Sequence, residues 1–88
     1  MTPQQDEAIE QIKKTIQQCI INLVSNPTAV SIDITHTSQT RVFEIKIDPT
    51  DKGKVIGKNG EMIKCIRTIV RAIASKHQMR CYVELFEE

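Results

Sequence analysis

Apolar residues in the first quarter of the chain recur three and four positions apart, which places them on one face of a helix. They are Ile9, Ile12, Ile16, Cys19 or Ile20, and Leu23. Thr2 stands before Pro3, and Gln5 follows three positions after Thr2, which fits a capping box at the start of this helix. Asn26-Pro27 predicts its end, because the residue before a proline disfavours helical backbone. We therefore expect an N-terminal helix over about residues 3–25.

Three later segments alternate between apolar and polar residues, which is the period of a half-buried strand. They cover Val30 to Thr35, Phe43 to Ile47 and Cys81 to Phe86. The polar link from His36 to Thr40 is short enough to join the first two segments as an antiparallel hairpin.

The helical period returns between the second and third strands. Asp48-Pro49-Thr50-Asp51 ends the second strand and offers caps for a short helix over roughly residues 50–56. A long amphipathic helix is predicted from Glu61 to about Lys76. Its apolar face carries Met62 or Ile63, Ile66, Ile69 or Val70, and Ile73.

The resulting order, helix-strand-strand-helix-helix-strand (αββααβ), predicts an α+β fold. A strand that returns after two helices lies most readily parallel to its predecessor, through a right-handed crossover. We therefore expect a mixed three-stranded sheet with the helices packed on one face. A chain of 88 residues supports one such core, so the whole chain is interpreted as a single domain.

Composition narrows the functional classes. A hydrophobic fraction of 40% with 26% charged residues is typical of a globular domain rather than a disordered chain. The absence of a long apolar run and of a signal segment favours a cytoplasmic location. Cys19, Cys65 and Cys81 form no CxxC pair and leave an odd count, so we expect small buried hydrophobic residues and no metal site.

The charge distribution is more informative than the net charge of +1. Residues 51–76 alone carry a net charge of +5, so the remainder sums to −4. A basic segment inside an acidic remainder localises the attraction for an anionic partner.

The candidate chemistry lies inside that basic segment, at Gly57-Lys58-Asn59-Gly60 between two helices. Glycines allow positive φ in a tight turn and bring the backbone close to a ligand. The helix starting near Glu61 directs free N–H groups towards the turn, and Lys58 adds a formal charge for the same anion. A Gly-x-x-Gly turn alone is a weak signal, because turn geometry by itself explains the two glycines.

The context makes the pattern more specific, since Val55-Ile56 precedes the turn and can floor a groove. The chain resembles a type II KH domain, whose signature is an aliphatic-Gly-x-x-Gly turn between two helices. Asn26-Pro27, the run Gly53 to Gly60, and Ile66-Arg67-Thr68-Ile69-Val70 resemble small stand-alone bacterial KH proteins of the KhpA (YlqC) type. The resemblance covers nearly the whole chain and implies a KH core over about residues 28–86.

The resemblance implies binding of single-stranded RNA, with the loop on the backbone of about four nucleotides and the bases in a neighbouring groove. It implies the role of an RNA chaperone or post-transcriptional regulator, without a cofactor. The expected RNA-binding residues are Lys54, Ile56, Gly57, Lys58, Asn59, Gly60, Ile63, Lys64, Arg67 and Arg71. Ile45 is a further candidate for the apolar groove, and each apolar candidate is equally compatible with the core.

One alternative function stays open, and one is rejected. Acidic Glu61 stands where related sequences often have a basic residue, which favours a protein-interaction module of KH fold with weak or no RNA binding. The resemblance also implies a homodimer or a heterodimer with a KhpB (Jag)-type protein. A P-loop enzyme is rejected, because three residues instead of four separate Gly53 from Gly57 and Asn59 occupies the Ser/Thr position. No catalytic constellation can be assembled, so we expect a non-enzyme.

Overall fold

The computed structural model describes residues 3–37 and 39–86. Its helices are α1 (Pro3–Ile21), α2 (Lys52–Ile56) and α3 (Glu61–Lys76). Its strands are β1 (Ser31–Thr37), β2 (Thr40–Lys46) and β3 (Arg80–Leu85). Short 3-10 turns occupy Pro27–Ala29, Pro49–Asp51 and Lys58–Gly60. The predicted order of elements is confirmed, and the capping box proposed at Thr2 lies outside the described residues.

The three strands form one sheet in the order β1-β2-β3. β1 pairs with β2 antiparallel, with Ile32 opposite Ile45. β2 pairs with β3 parallel, with Phe43 opposite Val83. The predicted mixed sheet is confirmed, and β3 is left as an edge strand beside α3.

One face of the sheet is covered by helices, as the alternation of apolar residues predicts. The buried core takes residues from every long element. Its members include Ile12, Ile16 and Ile20 of α1, Ile32 of β1, Phe43 and Ile45 of β2, Ile63, Ile66, Val70 and Ala74 of α3, and Val83 of β3. On α3 the structure thus selects Ile63 and Val70 from the predicted pairs, leaving Met62 and Ile69 exposed.

The N-terminal helix ends earlier than the sequence predicts. α1 stops at Ile21, and the N–H groups of Leu23 and Val24 both turn back to the Ile20 carbonyl. The following residues are held elsewhere, because the backbone N–H groups of Ser25 and Asn26 donate to the Asp51 carboxylate at 3.0 and 3.1 Å. A contact between distant segments therefore ends the helix before Asn26-Pro27 is reached.

The cysteines divide between surface and interior. Cys81 is buried, Cys19 is half-buried and Cys65 is exposed, so the prediction of a buried cysteine is wrong for Cys65. Cys65 lies on the solvent side of α3, one position before the buried Ile66. Within the described ranges, no helix is both long enough and apolar enough to cross a bilayer.

Candidate nucleic-acid interface

The loop between α2 and α3 bends through an unusual run of left-handed backbone. Gly57 has φ 77°, Asn59 has φ 57° and Gly60 has φ 74°. Glycine reaches positive φ without a Cβ penalty, and asparagine tolerates it better than most residues. The sequence of the turn therefore matches its backbone position by position.

Gly57 is required for a second reason, which is the close approach of the two helices. A Cβ atom on Gly57 would lie 2.6 Å from the Met62 Cβ atom and 2.9 Å from the Met62 nitrogen. A Cβ atom on Gly60 would meet nothing within 4 Å. Gly57 thus lets the first turn of α3 pack on the end of α2, while Gly60 faces open space.

The turn is closed by its own hydrogen bonds. Gly57 N–H donates to the Gly53 carbonyl at 2.9 Å, and Gly60 N–H donates to the Gly57 carbonyl at 3.1 Å. The N–H groups of Lys58 and Asn59 open a 3-10 turn, where no preceding carbonyl of the turn is in reach. Both side chains are exposed. The tip of the loop therefore presents donors and one positive charge to solvent.

A cleft of about 410 Å³ lies between the helices and the edge strand. Ile56 of α2 and Ile63 and Arg67 of α3 form one wall, and Glu84 and Leu85 of β3 form the other. The cleft has an apolar floor with one basic and one acidic residue at its rim. Its size is sufficient for a small planar ligand such as a nucleobase.

A second, smaller cleft continues along the same edge of the sheet. It measures about 220 Å³ and is lined by Arg67, Arg71, Cys81, Tyr82 and Val83. Arg67 contributes to both clefts, so the two concavities follow each other along β3. A linear ligand can therefore run along the strand beside the arginines.

The outer edge of β3 carries backbone polar groups towards these clefts. Phe86 N–H donates to the Ile45 carbonyl at 2.8 Å, so the backbone of Val83 and Leu85 faces away from β2. Arg67 Nε donates to the Val83 carbonyl at 3.1 Å. This bond anchors the guanidinium at the junction of the two clefts.

A family model described as KhpA/KhpB, KH domain, matches residues 13–85. The chain belongs to the KhpA/KhpB family of KH-domain proteins.

Similar proteins support the same assignment. The RNA-binding protein KhpA of Caldanaerobacter subterraneus is 43% identical over 75 residues, covering 85% of this chain and 96% of that protein. The RNA-binding protein KhpA of Chlamydia pneumoniae is 36% identical, covering 88% of this chain and 99% of that protein. The match in each case spans almost the full length of the relative.

A solved structure supports the fold independently. A GDP.AlF4-bound variant of Aquifex aeolicus Era superimposes with a TM-score of 0.56 at 17% identity. The overlay covers 86% of this chain and 29% of that one. At this identity the likeness concerns the fold alone.

Four of the ten residues expected from the KH resemblance line the two clefts. These are Ile56, Ile63, Arg67 and Arg71, whereas the loop residues Gly57, Lys58, Asn59 and Gly60 follow Ile56 in the chain and line neither cleft. Lys64 is exposed on α3 but lines neither cleft. The expectation that Ile45 contacts the groove is wrong, because its side chain is fully buried beneath the helices.

Lys54 belongs to a structural network near the loop. Its Nζ donates to the Ser25 hydroxyl and lies 3.3 Å from Asp51 Oδ1. Asp51 is buried, with 1% of its side chain exposed. The hydrogen bond from the Ser25 backbone, followed by those from Asn26 and Lys54, holds the pKa of the Asp51 carboxyl below its usual range against the opposing effect of burial. This network fixes α2, and hence the loop, to the segment after α1.

Sequence reasoning missed Glu84 and Leu85 as parts of the cleft, and Asp51 as its buried support. The predicted parallel pairing places β3 at the edge of the sheet. Neither the apolar period nor the Gly-x-x-Gly motif shows which residues of β3 line the cleft beside α2 and α3. Asp51 was recognised only as a capping residue. Its partners Ser25 and Asn26 are 26 and 25 positions away.

Proposed function

We propose that this protein binds single-stranded RNA, with the Gly57 to Gly60 loop on the sugar-phosphate backbone and the bases in the cleft of Ile56 and Ile63. The observation that carries the proposal is the exposed loop tip beside an apolar cleft on an edge strand. The loop supplies N–H donors and the Lys58 charge, which suit phosphate. The relatives named as RNA-binding proteins support the same ligand.

The edge strand offers a physical basis for holding bases. Leu85 and Ile56 provide apolar surface, and the outward backbone groups of β3 can pair with base edges, which single-stranded RNA leaves accessible. Arg67 and Arg71 lie along the path and add positive charge for the phosphates. Lys54 and Lys64 contribute to the field around the loop rather than to the clefts. Such binding requires no catalytic group and suits an RNA chaperone or post-transcriptional regulator built from one KH domain.

A charge-reversal variant tests the loop. Lys58→Asp with Asn59→Asp keeps residues that tolerate the turn but places two carboxylates where phosphate is expected. We expect binding to a single-stranded RNA to be lost, measured by fluorescence anisotropy, with an unchanged circular dichroism spectrum. Lys14→Asp with Gln17→Asp, at exposed positions of α1, makes the same change in net charge and is expected to bind more tightly than the loop variant. Equal binding by the loop variant and wild type would remove the loop from the mechanism.

A second candidate function, association with another KH protein, is favoured by an exposed apolar stripe on α3. Met62 and Ile69 are 37% and 43% exposed. Cys65 and Ala72, at spacings of three, four and three along the stripe, are also exposed. A second copy of this chain or a KhpB-type protein would bury this stripe. Sedimentation of wild type and Ile69→Glu tests this association, which the variant should weaken. A wild-type protein that stays monomeric at all concentrations, with or without a KhpB-type partner, would exclude it.

A further inference from the structure

A third concavity lies at the end of the sheet where β1 turns into β2, away from the loop. It measures about 400 Å³ and is bounded by α1, the hairpin and the link from α3 to β3. Its polar lining includes Gln5, His36, Gln39, Arg41, Gln78 and Arg80. None of its described lining residues is acidic.

Arg41 is the unusual residue of this concavity. It occupies a helix-facing position of β2, in line with Phe43 and Ile45, where the alternation would place an apolar residue. Only 8% of Arg41 is exposed, and its buried Nε has no hydrogen-bond partner. Its Nη1 donates to the Thr40 carbonyl at a long 3.5 Å. A buried guanidinium with an unused donor is costly unless another group satisfies it.

Among residues 3–37 and 39–86, no acidic side chain lines the concavity to pair with this guanidinium. The C-terminal end of α3 lies nearby and would attract a cation. Two of its carbonyls are already engaged, because Ala74 accepts from His77 and Met79, and Ser75 accepts from Gln78. No ion pair is formed by Arg41 within residues 3–37 and 39–86. Because Arg41 lines the concavity and has no acidic partner among the described residues, its guanidinium points to a ligand from outside the chain.

We propose that the concavity around Arg41 is a binding site for a phosphate-bearing anion. A guanidinium matches two oxygens of a phosphate, and charge-assisted hydrogen bonds of this kind are the strong ones. Arg80 lines the same concavity and adds a second positive charge, while the glutamine amides supply neutral donors. The volume accommodates a phosphate together with part of a nucleotide.

This site is separate from the loop, so it goes beyond the RNA contact proposed above. Arg41 lies four positions before Ile45, whose partner in β3 is Leu85 of the first cleft. At the rise of a strand this is a distance of roughly 13 Å. The same chemistry has two sources: a phosphodiester of an RNA strand that continues along β3, or a free phosphate compound.

Titration with inorganic phosphate at constant ionic strength tests the site. The probes are the side-chain Nε–H resonances of Arg41 and Arg80 in the ¹⁵N-labelled protein. We expect a saturable shift of the Arg41 signal in wild type and in the Lys58→Asp, Asn59→Asp loop variant. Arg41→Met should abolish the response of Arg80, and Arg80→Gln should weaken binding by about tenfold, as expected for loss of a charge-assisted bond.

The two variants keep the test decisive. Replacing a buried unpaired charge by an apolar residue of similar length is often neutral or stabilising, so Arg41→Met is expected to fold. Arg80 is exposed, and Arg80→Gln carries the test if Arg41→Met does not fold. No saturable shift of Arg41 in wild type, or an undiminished response in Arg80→Gln, would overturn the proposal, since Arg41 would then be a solvated or dipole-stabilised cation only.

RNA length distinguishes the two sources of phosphate. An RNA of about four nucleotides fills the loop and its groove. If a strand supplies the phosphate, an RNA three times longer shifts the Arg41 signal, and Arg41→Met weakens only the longer RNA. If a free phosphate compound is the ligand, neither RNA shifts Arg41 while inorganic phosphate does. Both outcomes support a phosphate site. The loop variant is expected to lose RNA binding and to keep the phosphate response of Arg41, so the two proposals can fail independently.

Discussion

Gly57 faces Met62 so closely that a methyl group on Gly57 would come within 2.6 Å of the Met62 Cβ atom. The end of α2 and the first turn of α3 are therefore in direct contact at the loop. Because Gly57 also has φ 77°, two independent constraints fix the same residue.

Substitution of the two loop glycines by alanine should have unequal effects. Gly60→Ala places a Cβ atom in open space and costs about 1–2 kcal/mol of stability for its left-handed backbone. Gly57→Ala carries a larger backbone cost, because φ 77° with ψ 174° lies in a region that essentially only glycine adopts, and it must also move the backbone of Met62. We expect Gly57→Ala to be the more destabilising variant by urea denaturation, and to bind RNA more weakly.

Equal stability of the two alanine variants would mean that α3 shifts freely away from α2. A Gly57→Ala protein that keeps wild-type RNA affinity would contradict the dependence of the interface on this contact. Gly53→Ala is the matched control, because Gly53 lies in α2 and its added Cβ atom would meet nothing within 4 Å. Alanine is favoured over glycine inside a helix, so this variant should be neutral or slightly stabilised.

The sequence predicted the elements well where one period holds over many residues. The bounds of α3 and the parallel return of β3 followed from apolar spacing and from the handedness of crossovers. Periodicity could not choose between neighbouring candidates such as Met62 and Ile63, because both lie near the edge of the same apolar face. The packing of α3 on β3 makes that choice.

The remaining differences come from contacts between distant residues. The early end of α1 depends on Asp51, which holds Ser25 and Asn26. Arg41 interrupts the apolar alternation of β2, and no local pattern announces a buried arginine there. Arg67 and Arg71 are expected at the RNA site from the KH resemblance, and their relation to the cleft depends on where the edge strand lies.

The two isoleucines of the first cleft should separate stability from binding. Ile63 is 7% exposed and belongs to the core, so Ile63→Ala should lower stability by about 2–5 kcal/mol. Ile56 is half-buried at the cleft wall, so Ile56→Ala should cost less stability. We expect Ile56→Ala to weaken RNA binding by about fivefold, or about 1 kcal/mol. Denaturation curves and anisotropy titrations on the same samples check both effects.

The control for this pair is Ile69→Ala, which removes an exposed side chain of α3 outside both clefts. At concentrations where sedimentation finds a monomer, so that the α3 stripe containing Ile69 is unpaired, it should change neither quantity appreciably. If Ile56→Ala binds RNA as tightly as Ile69→Ala, the apolar wall of the cleft does not hold bases.

The Asp51 network predicts a pH dependence of stability. The folded carboxyl has a pKa below the ordinary aspartate value of 3.8, first because of the Ser25 backbone hydrogen bond. A lowered folded pKa means that the unfolded chain takes up the proton first, so stability falls as the pH falls through this range. The contribution is complete above about pH 5 and is lost once the pH is below the folded pKa.

Asp51→Asn isolates this contribution, because it keeps the shape of the side chain and removes its titration. We expect the variant to be less stable than wild type at pH 7, with the difference shrinking at pH 3. Thermal unfolding at several pH values checks this. A stability difference between Asp51→Asn and wild type that stays constant with pH would contradict this prediction. It would show that the hydrogen bonds to Asp51 stabilise the fold regardless of its charge. Asp48→Asn is the matched control, since Asp48 caps Thr50 locally.

The salt dependence of RNA binding should report how Arg67 and Arg71 act. Both arginines line the cleft along β3, and Arg67 is already oriented by its bond to the Val83 carbonyl. If each neutralises one phosphate of a single strand, Arg67→Ala and Arg71→Ala should each flatten the slope of log affinity against log salt by ~0.7. Lys14→Ala, which removes an exposed charge from α1, should leave the slope nearly unchanged. An unchanged slope in the arginine variants would show that the RNA phosphates lie elsewhere. The two guanidinium groups would then contact only the edge of β3 and solvent.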